Sequence, residues 1–260
     1  MAAILDEQRI RVKVFGDFAC FTRPDLKVER MSYPCMTPSA ARGILDSILW
    51  KPEFKWYVRR ILVLKPVRYF SIKRNELNSK QGVVPLDIET MEKTTSGSYK
   101  AKYRAQRTSV ILRDVAYVIE ASIFQDSFDV KNPPVKYVEM FHRRVRKGQC
   151  FRRPYLGTRE FSCEFKVVTE EDTPIPDTIP IGSLFYDMFY TTKGVPKPLY
   201  AYNMAVRNGI LDCENARGPN GALNELLMTS SHLRTPVTNG VKELLRFYAE
   251  QEDQEVCHAE

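Results

Sequence analysis

Apolar and polar residues alternate in the first segment of the chain that has a clear pattern. In IRVKVFG, residues 10–16, apolar side chains are separated by Arg11 and Lys13. A period of two places successive side chains on opposite faces of a sheet, so the pattern predicts a strand with one buried face. Two longer runs, 56–70 and 108–124, are rich in β-branched residues and are also predicted to be strands.

Apolar residues at helical spacing predict two helices. The first is expected to begin after Thr37, which suits a helix N-cap, with Pro38 in the first turn. Its predicted core stripe consists of Ala41, Ile44, Leu45 and Ile48. The second helix is expected to follow Pro133 and Pro134 and to end near Gly148. Its predicted core face consists of Val135, Val138, Phe141 and Val145.

The predicted elements, with a further strand expected at 157–168, follow one another in the order βαββαβ. This is the order of the ferredoxin-like α+β fold, which RNA-recognition domains share. We expect a ferredoxin-like domain at residues 1–168, with an inserted arm at about 74–107. A smaller β-rich C-terminal region is expected at 169–260; it contains the strand-like segments LFYDMFY and PLYAYNMAV and ends in an acidic tail.

Composition and charge narrow the class of protein. With 260 residues, 43% of them hydrophobic, the chain is long enough to bury a core, and its formal net charge of +7 favours a polyanionic partner. The six cysteines include no CxxC pair and there are three histidines, so neither a zinc site nor a disulfide framework is indicated, and we expect no metal or other cofactor. No signal peptide or membrane-spanning segment is recognisable, which favours a cytoplasmic protein without a membrane partner.

Positive charge is concentrated in FHRRVRKGQCFRRPYLGTREF, residues 141–161, where the second predicted helix joins the strand that follows. The candidate phosphate-binding residues of this segment are Arg143, Arg144, Lys147, Arg152 and Arg153. A surface of this kind suits nucleic-acid phosphates. The alternative is a solvated helix end, because Lys and Arg in a last turn are stabilised by the helix dipole.

Lys136 stands out in the first turn of the second helix. On a helical wheel, Lys136, Arg143 and Lys147 fall on one side, opposite the apolar face. A lysine at a helix N-terminus meets the positive end of the dipole, so we expect an anion such as a phosphate to join it. The alternative is a side chain that points into water. His142 projects near the border of the apolar face, which favours a packed histidine over a catalytic one.

The insertion between the middle strands contains SYKAKYRAQR, residues 98–107. Aromatic and basic residues alternate in it: Tyr99, Lys100, Lys102, Tyr103, Arg104 and Arg107. Rings that stack on bases, next to cations that bind phosphates, are typical of surfaces for single-stranded nucleic acid. An ordinary exposed hairpin is the alternative. The chain lacks the octapeptide of standard RNA-recognition motifs, so we do not expect binding through aromatic residues of the sheet.

Several of these segments resemble the CRISPR-associated Cas5 family, in its type I-C branch. The resemblance is carried by FGDFACFTRP, ERMSYPCMTPSAARGILDSILWKP, KRNELNSK, LRDVAYVIEAS and FHRRVRKGQCFRRPYLGTREF. These segments occur in the family's order and span most of residues 9–165; PLYAYNMAVRNGIL is a weaker match.

The resemblance implies the ferredoxin-like fold and a metal-independent endoribonuclease. Members of the family cut precursor CRISPR RNA at the base of its repeat hairpin and then hold the 5′ handle as a subunit of an antiviral surveillance complex. The expected partners are precursor and mature CRISPR RNA, the backbone and large subunits of the type I-C complex and, through that complex, target DNA. A non-catalytic scaffold that only binds the handle is the second reading. A basic protein-interaction domain is a third, and it leaves the family segments unexplained.

The resemblance also assigns catalytic positions. The family's catalytic lysine falls on Lys136. A family histidine usually follows it, and here the position is Tyr137; an aromatic acid–base residue usually precedes the WKP segment, and here it is Leu49. Leu49 cannot transfer a proton, whereas Tyr137 could donate one or position the substrate.

Other groups near the first helix are candidates to replace the missing ones. These are Tyr33, Arg42 and Tyr57, and Arg42 is also a candidate RNA contact. Gly148 and Gly157 correspond to the family's glycine-rich loop, whose backbone is expected to approach RNA closely.

Overall fold

The computed structural model describes residues 9–77, 90–124, 133–190, 196–219, 221–223 and 227. The helices within these ranges are α1 (Pro38–Ile48) and α2 (Pro134–Lys147), with a 3₁₀ turn at Pro24–Leu26. The strands are β1 (Arg9–Ala19), β2 (Lys55–Val63), β3 (Tyr69–Leu77), β4 (Met91–Lys93), β5 (Tyr99–Ala101), β6 (Arg104–Phe124), β7 (Glu164–Lys166), β8 (Ile179–Tyr190), β9 (Pro196–Arg207), β10 (Ile210–Asp212), β11 (Arg217–Gly218) and β12 (Gly221–Ala222).

The central sheet confirms the predicted ferredoxin-like α+β fold. Its strands lie in the order β7-β1-β6-β2-β10-β9-β8. Strand β6 lies between β1 and β2, β7 lies on the other side of β1, and all three pairs are antiparallel. The residues that α1 and α2 bury belong to one core with Ile10, Val12 and Val14 of β1, so both helices cover the same face of the sheet.

The C-terminal strands continue this sheet. Strand β10 pairs with β2 and with β9, and β9 pairs along its length with β8. The segments 184–190 and 198–206, predicted as strands, are confirmed within β8 and β9. The acidic tail lies outside the described residues.

Local signals define both helices. The Thr37 hydroxyl accepts a hydrogen bond from the Ala40 amide, which confirms the predicted N-cap of α1. Helix α2 ends at Gly148, whose φ of 63° is left-handed, a conformation that glycine adopts readily. The buried residues of α2 are Pro134, Tyr137, Phe141 and Val145. Val135 is exposed, so the prediction that it is a core residue was wrong. Tyr137 is buried instead, because it lies four residues before Phe141 and eight before Val145 and so shares their face of the helix.

Two strand predictions were also wrong in extent. The run 56–70 is broken into β2 and β3, and Pro66, which has no amide hydrogen for a ladder, lies in the break. Of the predicted strand 157–168, only Glu164–Lys166 is a strand. The preceding residues form a turn, in which the Leu156 amide donates to the Phe161 carbonyl and the Phe161 amide donates to the Thr158 carbonyl.

The insertion forms two extensions of the molecule. Strand β3 pairs with the N-terminal half of β6, and β4 pairs with β5 in a separate hairpin. Residues 78–89, within the predicted arm at 74–107, lie outside the described residues. None of the described helices is long and apolar enough to cross a membrane.

Candidate nucleic-acid interface

Lys136 lies in the first turn of α2 with an exposed side chain. Its own amide donates to the Pro133 carbonyl at 3.0 Å, and Pro134 has no amide hydrogen. The backbone therefore offers fewer donors to an anion than a helix N-terminus normally does. The anion binding predicted at this position depends mainly on the Lys136 ammonium group.

Tyr137 is a packing residue in this conformation. It is only 2% exposed, and its ring centroid lies 5.0 Å from that of Phe54. Phe54 contacts Trp56, and Trp56 contacts Phe141, with centroid distances of 5.0 and 5.1 Å. Leu49 is fully buried, and its carbonyl accepts a hydrogen bond from the Trp56 indole at 3.0 Å. The two positions that depart from the family pattern are therefore part of one apolar cluster, and the predicted catalytic role of Tyr137 stays a prediction.

The exposed cations of α2 and the following loop form what we call the basic surface, which consists of Arg143, Arg146, Lys147, Arg152 and Arg153. Among the described residues, no ion pair involves Arg143, Arg146 or Lys147. Arg153 reaches Glu164 at 3.1 Å, but both side chains are exposed, and such a pair is worth little. The surface thus presents charge that is available to an anionic partner.

Arg144 differs from its neighbours. Its guanidinium donates to the Ile48 carbonyl at 2.5 Å, where α1 ends. Carbonyls in a last helical turn lack intrahelical partners, so this bond satisfies one of them. The structure gives Arg144, which we predicted to bind RNA, an internal role in joining the two helices.

His142 is half-buried beside the Phe141 ring. Burial lowers the pKa of its imidazole, and the charge of Arg146 lowers it further. A neutral, packed histidine fits the sequence interpretation better than a catalytic one.

The loop after α2 is fixed against α1. The amides of Phe151 and Arg152 both donate to the Ser47 carbonyl, at 2.8 and 3.0 Å. Gly157, further along the loop, has a φ of 87°, and a Cβ atom there would lie 2.0 Å from the Cys20 carbonyl oxygen. Gly157 is therefore required for the close approach of its backbone to Cys20, directly after β1, and its expected contact with RNA stays a prediction. Gly148 has open space around it and serves to end α2.

Arg42, predicted as an RNA contact, is directed into the protein. Its guanidinium donates twice to Asp187, at 2.5 and 2.8 Å, and once to Asp46 at 3.0 Å. The Asp187 side chain is only 3% exposed. Burial opposes the charged guanidinium, but the hydrogen bonds to Asp187 outweigh it and raise the pKa of Arg42. Burial, helped by the Asp187 charge, raises the pKa of Asp46 to about 6 although Arg42 opposes this.

Of the two candidate tyrosines near α1, Tyr33 is not placed as a base, and the role of Tyr57 stays a prediction. Tyr33 is buried, its hydroxyl accepts a hydrogen bond from the Phe185 amide at 3.1 Å, and burial raises its pKa. Tyr57 lies on β2 with the Arg59 guanidinium 5.5 Å from its ring centroid.

In the 98–107 arm, some of the aromatic and basic residues that we predicted to bind nucleic acid are exposed and others are not. Lys102 and Arg104 are exposed, and the Lys102 ammonium lies 5.1 Å from the Tyr103 ring centroid. Arg107 instead forms an ion pair with Glu76 at 3.6 Å. Tyr99 and Lys100 lie on β5, but their side chains are outside the described part of the structure.

The face of the sheet opposite the helices is partly covered by the chain. The Lys13 ammonium on β1 donates a hydrogen bond to the Asp172 carboxylate, and the Ile175 amide donates to the Val63 carbonyl of β2 at 2.9 Å. This face is the one that RNA-recognition motifs use. The partial covering of this face agrees with the absence of the octapeptide that RNA-recognition motifs carry. It favours the helical side of the sheet as the RNA-binding surface.

Two exposed aromatic residues at the helical side were missed by sequence reasoning. They are Trp50, just beyond α1, and Phe151, in the loop after α2. The sequence contained a signal for both, because a basic residue directly follows each ring: Lys51 follows Trp50, and Arg152 follows Phe151. Among the described residues, no group of histidine, cysteine or carboxylate side chains could hold a metal ion.

Comparison with known proteins gives consistent matches. The family model described as CRISPR-associated protein (Cas_Cas5) matches residues 9–185. A relative from Mannheimia succiniciproducens, named CRISPR pre-crRNA endoribonuclease Cas5d, is 39% identical over 215 residues, which is 78% of this chain and 94% of the relative. A relative of the same name from Thermus thermophilus is 43% identical over 193 residues, 73% of this chain and 77% of the relative.

Two solved structures share the fold. A functionally uncharacterized protein from Streptococcus mutans has a TM-score of 0.55 at 21% identity, covering 79% of this chain and 91% of its own. A structure described as a CRISPR-associated protein has the same TM-score and coverage at 25% identity.

Proposed function

We propose, since the chain belongs to the CRISPR-associated Cas5 family and to its Cas5d branch, that it is an endoribonuclease which cuts precursor CRISPR RNA at the repeat hairpin. The observation that carries the proposal is the identity of 39% and 43% to two relatives named for this activity. The exposed basic surface on the helical side supports it, because phosphate contacts supply most of the affinity for RNA.

The chemistry that we assign is an attack by a ribose 2′-OH on the adjacent phosphate. The new bond joins the 2′-oxygen to phosphorus, the bond from phosphorus to the 5′-oxygen breaks, and the products end in a 2′,3′-cyclic phosphate and a 5′-OH. The 2′-OH loses a proton and the leaving 5′-oxygen gains one, so no oxidant, reductant or metal is needed. The protein must stabilise the extra negative charge of the phosphorane.

Lys136 is the residue that we assign to this stabilisation. Its ammonium is exposed at the head of α2, at the end opposite to Lys147 and the loop. Leu49 has no titratable group, and Tyr137, whose catalytic role stays a prediction, is 2% exposed and therefore closed to solvent in this conformation. Charge stabilisation by Lys136 is therefore the catalytic contribution that we assign to this part of the chain.

The burial of Leu49 and Tyr137 also favours a second candidate function, a non-catalytic subunit that holds the 5′ handle of the processed RNA. It uses the same basic surface and requires no proton transfer. In either function the proposed partners are CRISPR RNA and the backbone and large subunits of a type I-C surveillance complex, and target DNA is reached through that complex.

Incubation of the purified protein with its cognate repeat RNA in excess EDTA separates the two functions. The nuclease is expected to give one cut at the hairpin, and the scaffold is expected to bind the RNA and leave it intact. A cut that appears only after Mg²⁺ is added would contradict the metal-independent mechanism.

Charge reversal of the basic surface is expected to weaken binding to RNA of any sequence. Each phosphate contact releases a counterion, so Arg143→Glu with Lys147→Glu should lower affinity and reduce the slope of log K against log salt concentration by about one per lost contact. Filter binding at several salt concentrations measures both. The matched control is Arg207→Glu with Arg217→Glu, an equal charge change at exposed positions on β9 and β11. An unchanged slope in the double variant would place the RNA on another surface.

A further inference from the structure

Two large aromatic side chains are exposed around the C-terminal end of α1. Phe151 is 65% exposed and Trp50 is 50% exposed. Burying rings of this size against a partner is strongly favourable, and their position beside the basic surface makes them candidates for contact with a ligand.

The backbone that carries both rings is held rigidly. Phe151 and Arg152 donate their amides to the Ser47 carbonyl, three residues before Trp50. Leu49, directly before Trp50, is fully buried, donates its amide to the Leu45 carbonyl and accepts the Trp56 indole hydrogen. The backbone is thus positioned before a ligand arrives, so the entropy lost on binding is mainly that of the side-chain torsions of the two rings.

The charge around the rings selects the class of ligand. The Arg152 guanidinium lies 5.4 Å from the Phe151 ring centroid. Lys51 follows Trp50, and the chain has no acidic residue between positions 140 and 159. Asp46 in α1 and the exposed Glu53 are the acidic residues near Trp50 in the chain, and the cations of the loop outnumber them. Nucleic acid offers phosphates for these cations and bases for the rings.

We propose that Trp50 and Phe151 are base-stacking residues that hold unpaired nucleotides of single-stranded RNA, with Arg152 beside them on the phosphate backbone. The proposal deepens the function proposed above and rests on it, because it states how the RNA outside the hairpin is held. Stacking tolerates any base, so this contact secures single-stranded RNA without reading its sequence.

Tryptophan fluorescence reports on the proposed contact directly. The chain has two tryptophans, and the other one, Trp56, is buried. Oligoadenylate of 12 nucleotides is expected to quench the emission of the full chain, and a blunt-ended RNA duplex of equal charge is expected to quench it much less. In Trp50→Phe the quenching should disappear while binding stays within a few-fold, since phenylalanine still stacks.

Affinity for the same oligoadenylate provides the second measurement. Trp50→Ala and Phe151→Ala should each weaken binding roughly 5- to 150-fold, the range that follows from the loss of one stacked base. Tyr202→Ala on β9, where the side chain is similarly exposed, is the matched control and should bind normally. Circular dichroism verifies the fold of each variant.

The outcomes separate this proposal from the nuclease. Equal quenching by duplex, or normal affinity in both alanine variants, overturns the stacking proposal even if cognate repeat RNA is cut in EDTA. Quenching that depends on Trp50 supports it even if no cut occurs. A variant pair that binds RNA normally but fails to associate with another protein subunit would show a protein interface instead.

Discussion

Replacing Lys136 with alanine is expected to slow cleavage of the repeat RNA by about 100- to 1000-fold, the range seen when one group that stabilises transition-state charge is removed. Affinity for the uncut RNA should stay within a few-fold, because the interaction is stronger with the phosphorane than with the phosphodiester. Single-turnover cleavage at saturating protein gives the rate, and binding to a 2′-deoxy substrate gives the affinity.

Lys147→Ala is the matched control for this variant. It removes the same charge from the other end of α2, where the side chain is also exposed. We expect weaker binding and an unchanged rate at saturation. Tyr137→Phe should also leave the rate close to normal, since the ring is packed against Phe54. If Lys136→Ala lowered affinity and left the saturating rate intact, Lys136 would be a phosphate contact and not a catalytic residue.

Arg42→Ala is expected to lower the free energy of unfolding by roughly 3–5 kcal/mol. The variant leaves the Asp187 carboxylate, which is 3% exposed, without the guanidinium that donates two hydrogen bonds to it. A buried charge that loses its partner is far costlier than a lost surface pair. Urea denaturation followed by circular dichroism measures the change.

Two further variants define the origin of this loss. Arg143→Ala, which removes an exposed arginine, should change stability by no more than about 0.5 kcal/mol. Adding Asp187→Asn to Arg42→Ala should restore part of the stability, because the unpaired charge is then gone. If Arg42→Ala unfolded at the wild-type urea concentration and bound RNA poorly, Arg42 would be the RNA contact that its sequence position suggests.

Elements specified by neighbouring residues could be predicted from the sequence. Thr37 and Pro38 define the start of α1, and the pair Pro133–Pro134 defines the start of α2, because caps and proline geometry act within one turn. The alternation in IRVKVFG similarly predicted β1, whose residues Ile10, Val12 and Val14 are buried.

Features that depend on distant parts of the chain could not be predicted. Asp187 is 145 residues from the arginine that it binds, and nothing in the local sequence pairs Arg42 with it. The same holds for Gly157, whose close neighbour is the Cys20 carbonyl. Of the candidate site, charge density correctly indicated an exposed basic surface on α2, whereas the internal bond of Arg144 and the burial of Tyr137 depend on tertiary packing.

Cleavage of cognate repeat RNA in excess EDTA, with a single 2′-deoxy substitution at the scissile nucleotide beside the unmodified RNA, is the most direct test of the nuclease. We expect the protein to cut the unmodified RNA, leaving a 2′,3′-cyclic phosphate, and to bind the 2′-deoxy RNA equally well without cutting it. Cutting of the 2′-deoxy RNA, or no EDTA-resistant cut of the unmodified RNA at saturating protein, would contradict it.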